Sequence, residues 1–356
     1  MDSIITNNYP IHFNNKAYEE LNIFVEKNNF SKIIVLTDSN TKLLCLEKFY
    51  SKFNKTCDIA NISFNSGEKN KNLSTCEDLW TSISDYGLDR SSLIINLGGG
   101  VVTDLGGFVA STFMRGIQFI NVPTTLLAMV DASIGGKTGI DLNNIKNQIG
   151  VINNPSMVII DSDFLETLPL EEIKSGFSEM IKHSLITGIK YWDSMKLINI
   201  NTFCPGNCFF NSILIKSKIV DNDPFEKGLR KFLNYGHTVG HAIETYCLNT
   251  NSRKDLSHGH SIALGMIIEG HLSTVIHNFN KKLNLEINRF ILINFEKIIF
   301  TDQEIEEIIK LMRFDKKNKN GQINFVLLKT VGEPVFDQKV DVNTIKKSFK
   351  FLNEFS

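Results

Sequence analysis

The sequence predicts an α/β protein in two parts, a parallel-sheet half followed by a mainly helical half. Three observations carry this. Short apolar runs of strand length alternate with helix-like crossovers through the first half, a glycine-rich turn follows one of those runs, and later apolar residues recur at helical spacing. Strand-rich sequence gives way to helical sequence near Asp161 to Asp163, so domains of 1–162 and 163–356 are expected.

In the first half, residues 32–38 read as a strand and 41–53 as a helix with leucines at 43, 44 and 46. Residues 59–64 read as the next strand. A polar stretch with Glu68 and Lys71 follows, then a helix carrying Leu79, Trp80 and Ile83, then a strand over 92–97. Directly after it comes Gly98-Gly99-Gly100-Val101-Val-Thr-Asp104-Leu-Gly106-Gly107, a glycine turn feeding a helix of small residues. Glycines admit a pyrophosphate close to the backbone, and a helix amino terminus supplies free N–H groups and a positive dipole end. The half is therefore Rossmann-like and suited to nucleotide binding, although Thr103 stands where the dinucleotide fingerprint wants glycine. A tight strand-to-helix turn without a ligand is the plainer alternative.

Residues 119–125 form a strand closing in Thr124 and Thr125, and Gly135-Gly136-Lys137-Thr138 follows. The spacing refuses a P-loop, whose first glycine would fall on Asp131. Lys137 reads as a cation near a flexible turn that, with Lys146, Asn147 and Arg115, suits an anionic substrate. Each alone is commonly a solvated surface charge.

In the second half, Ile173, Phe177, Met180, Ile181 and Leu185 form an apolar helical stripe. Glu179 and Lys182 lie three apart beside it, and an exposed ion pair is the plainest reading of that spacing. A helix through 213–220, carrying Lys216, ends at Asp223-Pro224. Residues 230–244 then bring Arg230, Asn234, His237, His241 and Glu244 together. On a helix, His237 and His241 share a face, suited either to one divalent cation or to a partly buried, hydrogen-bonded surface. Thr238 occupies the place where a metalloprotease helix needs its glutamate, which excludes that chemistry. For a third ligand, spacing leaves Glu244, His258 and His260 open. Residues 262–272 and 304–312 are helical, 314–321 form a basic turn with Lys316, and 324–328 read as a strand.

The chain of 356 residues is long enough for two cores, and 42% hydrophobic with 22% charged residues is the balance of a soluble globular protein. A net charge of -1 gives no global attraction to nucleic acid or anionic membrane, so a small-molecule partner is expected, with no nucleic acid and no membrane. Six cysteines without close repeated pairs, an amino terminus without a signal-peptide pattern and no bilayer-length apolar run point to a reduced, cytoplasmic setting. Cys204 and Cys208 lack a partner pair for metal binding.

Taken in order, the Gly98 turn, Pro123-Thr-Thr-Leu-Leu-Ala-Met-Val-Asp131-Ala-Ser-Ile-Gly-Gly-Lys137-Thr, Lys146-Asn147, Glu179-Met-Ile-Lys182, Leu233-Asn234-Tyr-Gly-His237-Thr-Val-Gly-His241-Ala-Ile-Glu and His258-Gly resemble the 3-dehydroquinate synthase family. The resemblance runs from about Asp38 to Lys317. It implies a nucleotide-binding domain and a helical domain enclosing NAD and a divalent metal, zinc or cobalt. The implied ligands are Glu179, His237 and His258, which selects Glu179 where spacing alone preferred Glu244. Implied NAD contacts are Asp38, Asn40, Glu68, Lys71, Gly98 to Val101, Asp104, Thr124 and Thr125, with Asp131, Lys137 and Lys146 beside them.

Implied substrate contacts are Asp131, Lys137, Asn147, Lys182, Lys216, Arg230, Asn234, His241 and Lys316. The resemblance also implies a homodimer in which Arg115 reaches over from a second subunit. Catalytic roles fall to Lys137, Lys182, Lys216, Arg230, Asn234 and His241. The implied activity is that of a carbon–oxygen lyase acting on a phosphorylated sugar acid. One position departs from the family pattern: His258-Gly-His260 stands where the family has His-Gly-Glu, which leaves His260 to compete for the metal or to remove a supporting carboxylate. Other sugar-phosphate cyclases, NAD-linked polyol or glycerol-phosphate dehydrogenases, and a non-catalytic nucleotide-binding protein are the competing readings.

Overall fold

The computed structural model describes residues 2–54, 58–143, 145–250, 253, 255–313 and 323–355. The chain divides into two compact units, Met1–Pro169 with Lys216–Pro224, and Leu170–Ile215 with Phe225–Ser356.

The first unit contains β1 (Ile4–Ile5), β2 (Pro10–Phe13), α1 (Asn14–Asn28), β3 (Ile33–Asp38), α2 (Ser39–Leu44), α3 (Leu46–Lys52), β4 (Ile59–Phe64), α4 (Leu73–Asp85), β5 (Leu93–Gly98), α5 (Gly100–Thr112), β6 (Gln118–Pro123), β7 (Lys137–Leu142), β8 (Ile145–Ile152) and β9 (Val158–Ile160). Seven strands form a sheet in the order β1-β2-β9-β6-β5-β3-β4, parallel except for the β1/β2 edge pair. β3 and β5 are buried along their whole length and mostly apolar, as strands covered on both faces must be. Ile34, Leu36, Leu79, Ile83, Ile94, Leu105 and Phe119 are the centre of its core. After β3 the chain steps outward to β4 and then returns to the other side of β3, so β3 and β5 flank the point where strand order reverses. Ligands of open α/β sheets bind outside the carboxyl ends of strands at such a point. Asp38 and Gly98 are the last residues of those two strands.

Gly106 explains how α5 sits so close to the sheet, because a Cβ there would meet the Asn96 Oδ1 at 2.1 Å. The sequence reading found β3 to β6 and the parallel sheet, but it joined α2 and α3, which break at Cys45. It also read Gly135 to Gly139 as a flexible turn, whereas Lys137 opens the antiparallel β7/β8 hairpin.

The second unit contains α6 (Leu170–Thr187), α7 (Ile189–Met195), most of α8 (Asn207–Asn222), α9 (His237–Asn249), α10 (His258–His277), α11 (Lys281–Asn294), α12 (Asp302–Arg313), the β10 (Asn324–Thr330) and β11 (Glu333–Lys339) hairpin, and α13 (Val342–Glu354). α10 is the central rod. Apart from His260, every residue from Gly259 to Gly270 is buried, which is why its apolar residues surround the helix and form no stripe. α6, α9, α11, α13 and β10 pack around it. Its first turn presses on α6, where a Cβ on Gly259 would lie 2.3 Å from the Ser175 Cα. Only glycine allows that crossing. It brings His258 down onto the α6 face that carries Glu179.

The helix expected from Arg230 onward begins only at His237. Arg230 and Asn234 belong to a short 3-10 segment, Leu229–Asn234, and Gly236 (φ 79°) separates it from α9.

Candidate metal and nucleotide sites

In the second unit, Glu179 is fully buried on α6. The expectation of an exposed Glu179–Lys182 ion pair is thus corrected: Lys182 is also buried, and its ammonium is paired with Glu179 Oε2. Packing covers α6 on all sides from Ser175 to Ile186, so helical spacing alone overstated its exposure. The other oxygen, Glu179 Oε1, is buried and accepts no hydrogen bond among the described residues. It lies 3.5 Å from His237 Nε2 and 3.9 Å from His258 Nε2.

A buried carboxylate oxygen is normally hydrogen-bonded, and leaving it without a donor is costly. Ligands each about 2.1 Å from a tetrahedral ion stand roughly 3.4 Å apart, so one carboxylate oxygen and two imidazole nitrogens at these separations fit a divalent ion of the zinc type. The imidazoles are also oriented for it. His237 Nδ1 is 3.1 Å from the Tyr235 carbonyl, and His258 Nδ1 is 3.3 Å from Glu244 Oε2, which turns each Nε2 toward Glu179. His241 completes a cluster with ring centroids 5.0 Å from His237 and 5.6 Å from His258, the ligand nitrogens of all three lying within 4.8 Å of one another.

The start of α9 is fixed from α10. Glu269, fully buried, accepts from Gly236 N at 2.7 Å and Val239 N at 3.2 Å, satisfying backbone donors around the helix start. The sequence reading missed this residue, whose signal is a lone carboxylate inside an apolar helical run. Arg230 is buried, and Asn234 donates to Glu226 Oε1 at 2.6 Å. Glu226, also unread, holds φ at 57°, a conformation a non-glycine residue adopts rarely. Lys316 lies outside the described residues.

The segment before His258 is tethered by Arg253, whose guanidinium grips both Glu304 oxygens, Nε to Oε1 at 2.5 Å and Nη2 to Oε2 at 2.6 Å. That bidentate pair, with Thr301 donors, holds the Glu304 carboxyl at about 2 against an ordinary 4.5. Because the folded value is the lower one, the pairing stabilises the fold fully above pH 4.5 and is lost as pH falls toward 2. Arg253→Ala should therefore flatten the acid limb of stability between those values in urea unfolding; an unchanged pH dependence would contradict the pairing.

In the first unit the expected nucleotide contacts collect at the carboxyl end of the sheet. Asp38 ends β3 and caps α2, accepting from Thr41 N at 2.8 Å, with Asn40 exposed on that helix. Gly98 ends β5 and accepts from Thr124 N at 3.0 Å. Gly99 precedes α5 with no side-chain cap, which leaves the first N–H groups of a 13-residue helix for an anion, with Val101 half-buried beside them. A Cβ on Gly99 would meet the Thr125 methyl at 2.9 Å, so a larger residue there would have to push Thr125 aside. These residues fit a dinucleotide.

Lys71 is buried and pairs with Asp104 Oδ2 at 2.6 Å and with Asn147 Oδ1 at 2.5 Å. Burial opposes the Lys71 charge, yet the Asp104 and Glu68 carboxylates outweigh it and raise its pKa. Burial likewise raises Asp104, only partly offset by Lys71. Lys146 stands 3.6 Å from Glu68, and Lys216 pairs with Asp131 at 2.6 Å. Lys137 is exposed at the start of β7, and Arg115 is exposed with φ 69°.

Comparison with known proteins covers most of the chain. Residues 61–175 match the family model for the 3-dehydroquinate synthase N-terminal region, and 176–318 match the one for the C-terminal region. A 3-dehydroquinate synthase of Parabacteroides distasonis is 39% identical over 342 residues, covering 94% of this chain and 95% of the relative. That of Pelagibacter ubique is 35% identical over 362 residues, covering 96% and 95%. Among solved structures, a 2-deoxy-scyllo-inosose synthase complexed with carbaglucose-6-phosphate, NAD+ and Co2+ shares the fold with a TM-score of 0.83 at 24% identity, covering 100% of this chain and 99% of that one. On the family models and on relatives of this identity and coverage, the chain belongs to the 3-dehydroquinate synthase family.

Proposed function

We propose that this protein converts 3-deoxy-D-arabino-heptulosonate 7-phosphate to 3-dehydroquinate and inorganic phosphate, a carbon–oxygen lyase reaction. When bound, NAD takes up and returns a hydride, and a divalent ion, zinc or cobalt, acidifies a substrate hydroxyl as a Lewis acid. Glu179, His237 and His258 hold the ion. Asp38, Asn40, Glu68, Lys71, Gly98 to Val101, Asp104, Thr124 and Thr125 hold NAD.

The substrate carries a carboxylate and a phosphate, and the cations Lys137, Lys182, Lys216 and Arg230 balance them, with Asp131, Asn147 and Asn234 orienting hydroxyls. Arg115 and Lys316 add further positive charge. His241, beside the ligand histidines but spared from ligation, relays a proton near the phosphate. The protein works as a cytoplasmic homodimer.

The observation supporting these roles most directly is the buried Glu179 oxygen, without a hydrogen-bond donor and faced by two oriented imidazoles. The test is phosphate release from the heptulosonate phosphate with a catalytic amount of NAD, expected to stop with a chelator and resume with zinc. Release that ignores the chelator would overturn the metal's role.

A further inference from the structure

The question raised by His260 has an answer in the packing of α9 against α10. His260 Nε2 sits 2.7 Å from the Glu296 carbonyl, and its ring packs on Phe295 with centroids 5.9 Å apart. That nitrogen is engaged away from the histidine cluster. The position where the family pattern has a carboxylate therefore carries neither a ligand nor an acidic partner.

A carboxylate reaches His258 from another element. Glu244 lies seven residues after His237 and three after His241, on the same face of α9, and that face meets the first turn of α10. It is buried, 4% exposed, and its Oε2 stands 3.3 Å from His258 Nδ1. The other nitrogen, Nε2, faces the Glu179 oxygen.

A neutral imidazole carries one proton on either nitrogen, and only the bare nitrogen can bind a metal. A carboxylate at Nδ1 holds the proton there. It thereby leaves the Nε2 lone pair directed at the ion, fixes the ring plane and raises ligand basicity. His237 reaches the same state through a backbone carbonyl, which no substitution removes. His258, at the first turn of α10, depends on a side chain.

We propose that Glu244 is the positioning residue of the metal centre, holding His258 from α9 so that its Nε2 is presented to the ion. This rests on the reading of His258 as a ligand. Spacing leaves Glu244 open as a ligand itself; its placement beside His258 Nδ1 makes it the support of one.

The test uses the full chain, stripped of metal, with zinc affinity measured by competition against a chromogenic chelator and the visible spectrum recorded with Co2+. Glu244→Ala should weaken zinc about 10- to 100-fold and shift the Co2+ bands, with the apo protein's circular dichroism unchanged. Glu244→Gln should lose less, since its amide oxygen still accepts the Nδ1 proton but carries no charge. His260→Ala should bind zinc as the parent does.

Parental affinity and Co2+ bands in both Glu244 variants overturn the proposal while leaving the metal site standing. Should Glu244→Ala fail to fold, parental behaviour of Glu244→Gln alone overturns it. A parent chain that binds no zinc sinks the metal reading and this inference with it. Zinc loss in His260→Ala equal to that in Glu244→Ala also contradicts it.

Discussion

His237→Ala is expected to abolish phosphate release while the fold persists. The imidazole is one of the two whose Nε2 faces the buried Glu179 oxygen, and polarisation by a bound ion is worth several kcal/mol, so the loss should reach about a thousand-fold or more. The fold survives because the start of α9 is held by Glu269 through the Gly236 and Val239 amides, without the His237 ring. Turnover, zinc content and circular dichroism on the same sample check this. Near-parental turnover with zinc retained would show that the ligand is misassigned.

Lys71→Ala should cost about 3 kcal/mol of stability and abolish NAD binding. Removing the buried Lys71 leaves the half-buried Asp104 carboxylate uncompensated, and burial already works against that charge. Lys71 also reaches Asn147, so its loss removes two contacts at once. Denaturant unfolding with and without NAD measures both effects. A double change, Lys71→Ala with Asp104→Ala, should recover part of the lost stability, since no buried charge then lacks its partner. A loss under about 1 kcal/mol in the single variant would contradict a buried, coupled pair.

The sheet was legible because β3 and β5 are short, mostly apolar runs that alternate with helix-like crossovers. The β7/β8 hairpin was not, because its apolar residues are interspersed with glycine, polar and charged ones and form no continuous run. α1 repeats buried residues at 17, 18, 21 and 25, a helical period that went unread beside the stronger signals that follow. Spacing grouped His237, His241 and Glu244 correctly on one face but could not distribute their roles. Those roles depend on α6 and α10, which approach through Gly259 and Ser175, and a crossing between distant helices leaves no local trace in sequence. The same packing buried Glu179, which helix periodicity had placed in solvent.

In the proposed reaction NAD is used and restored within one catalytic cycle. Inorganic phosphate and NADH absorbance, followed together with the heptulosonate phosphate in excess over added NAD, test this. Many phosphates should be released per NAD, with no accumulating NADH. NADH formed in proportion to substrate, without phosphate, would contradict it and mark a dehydrogenase.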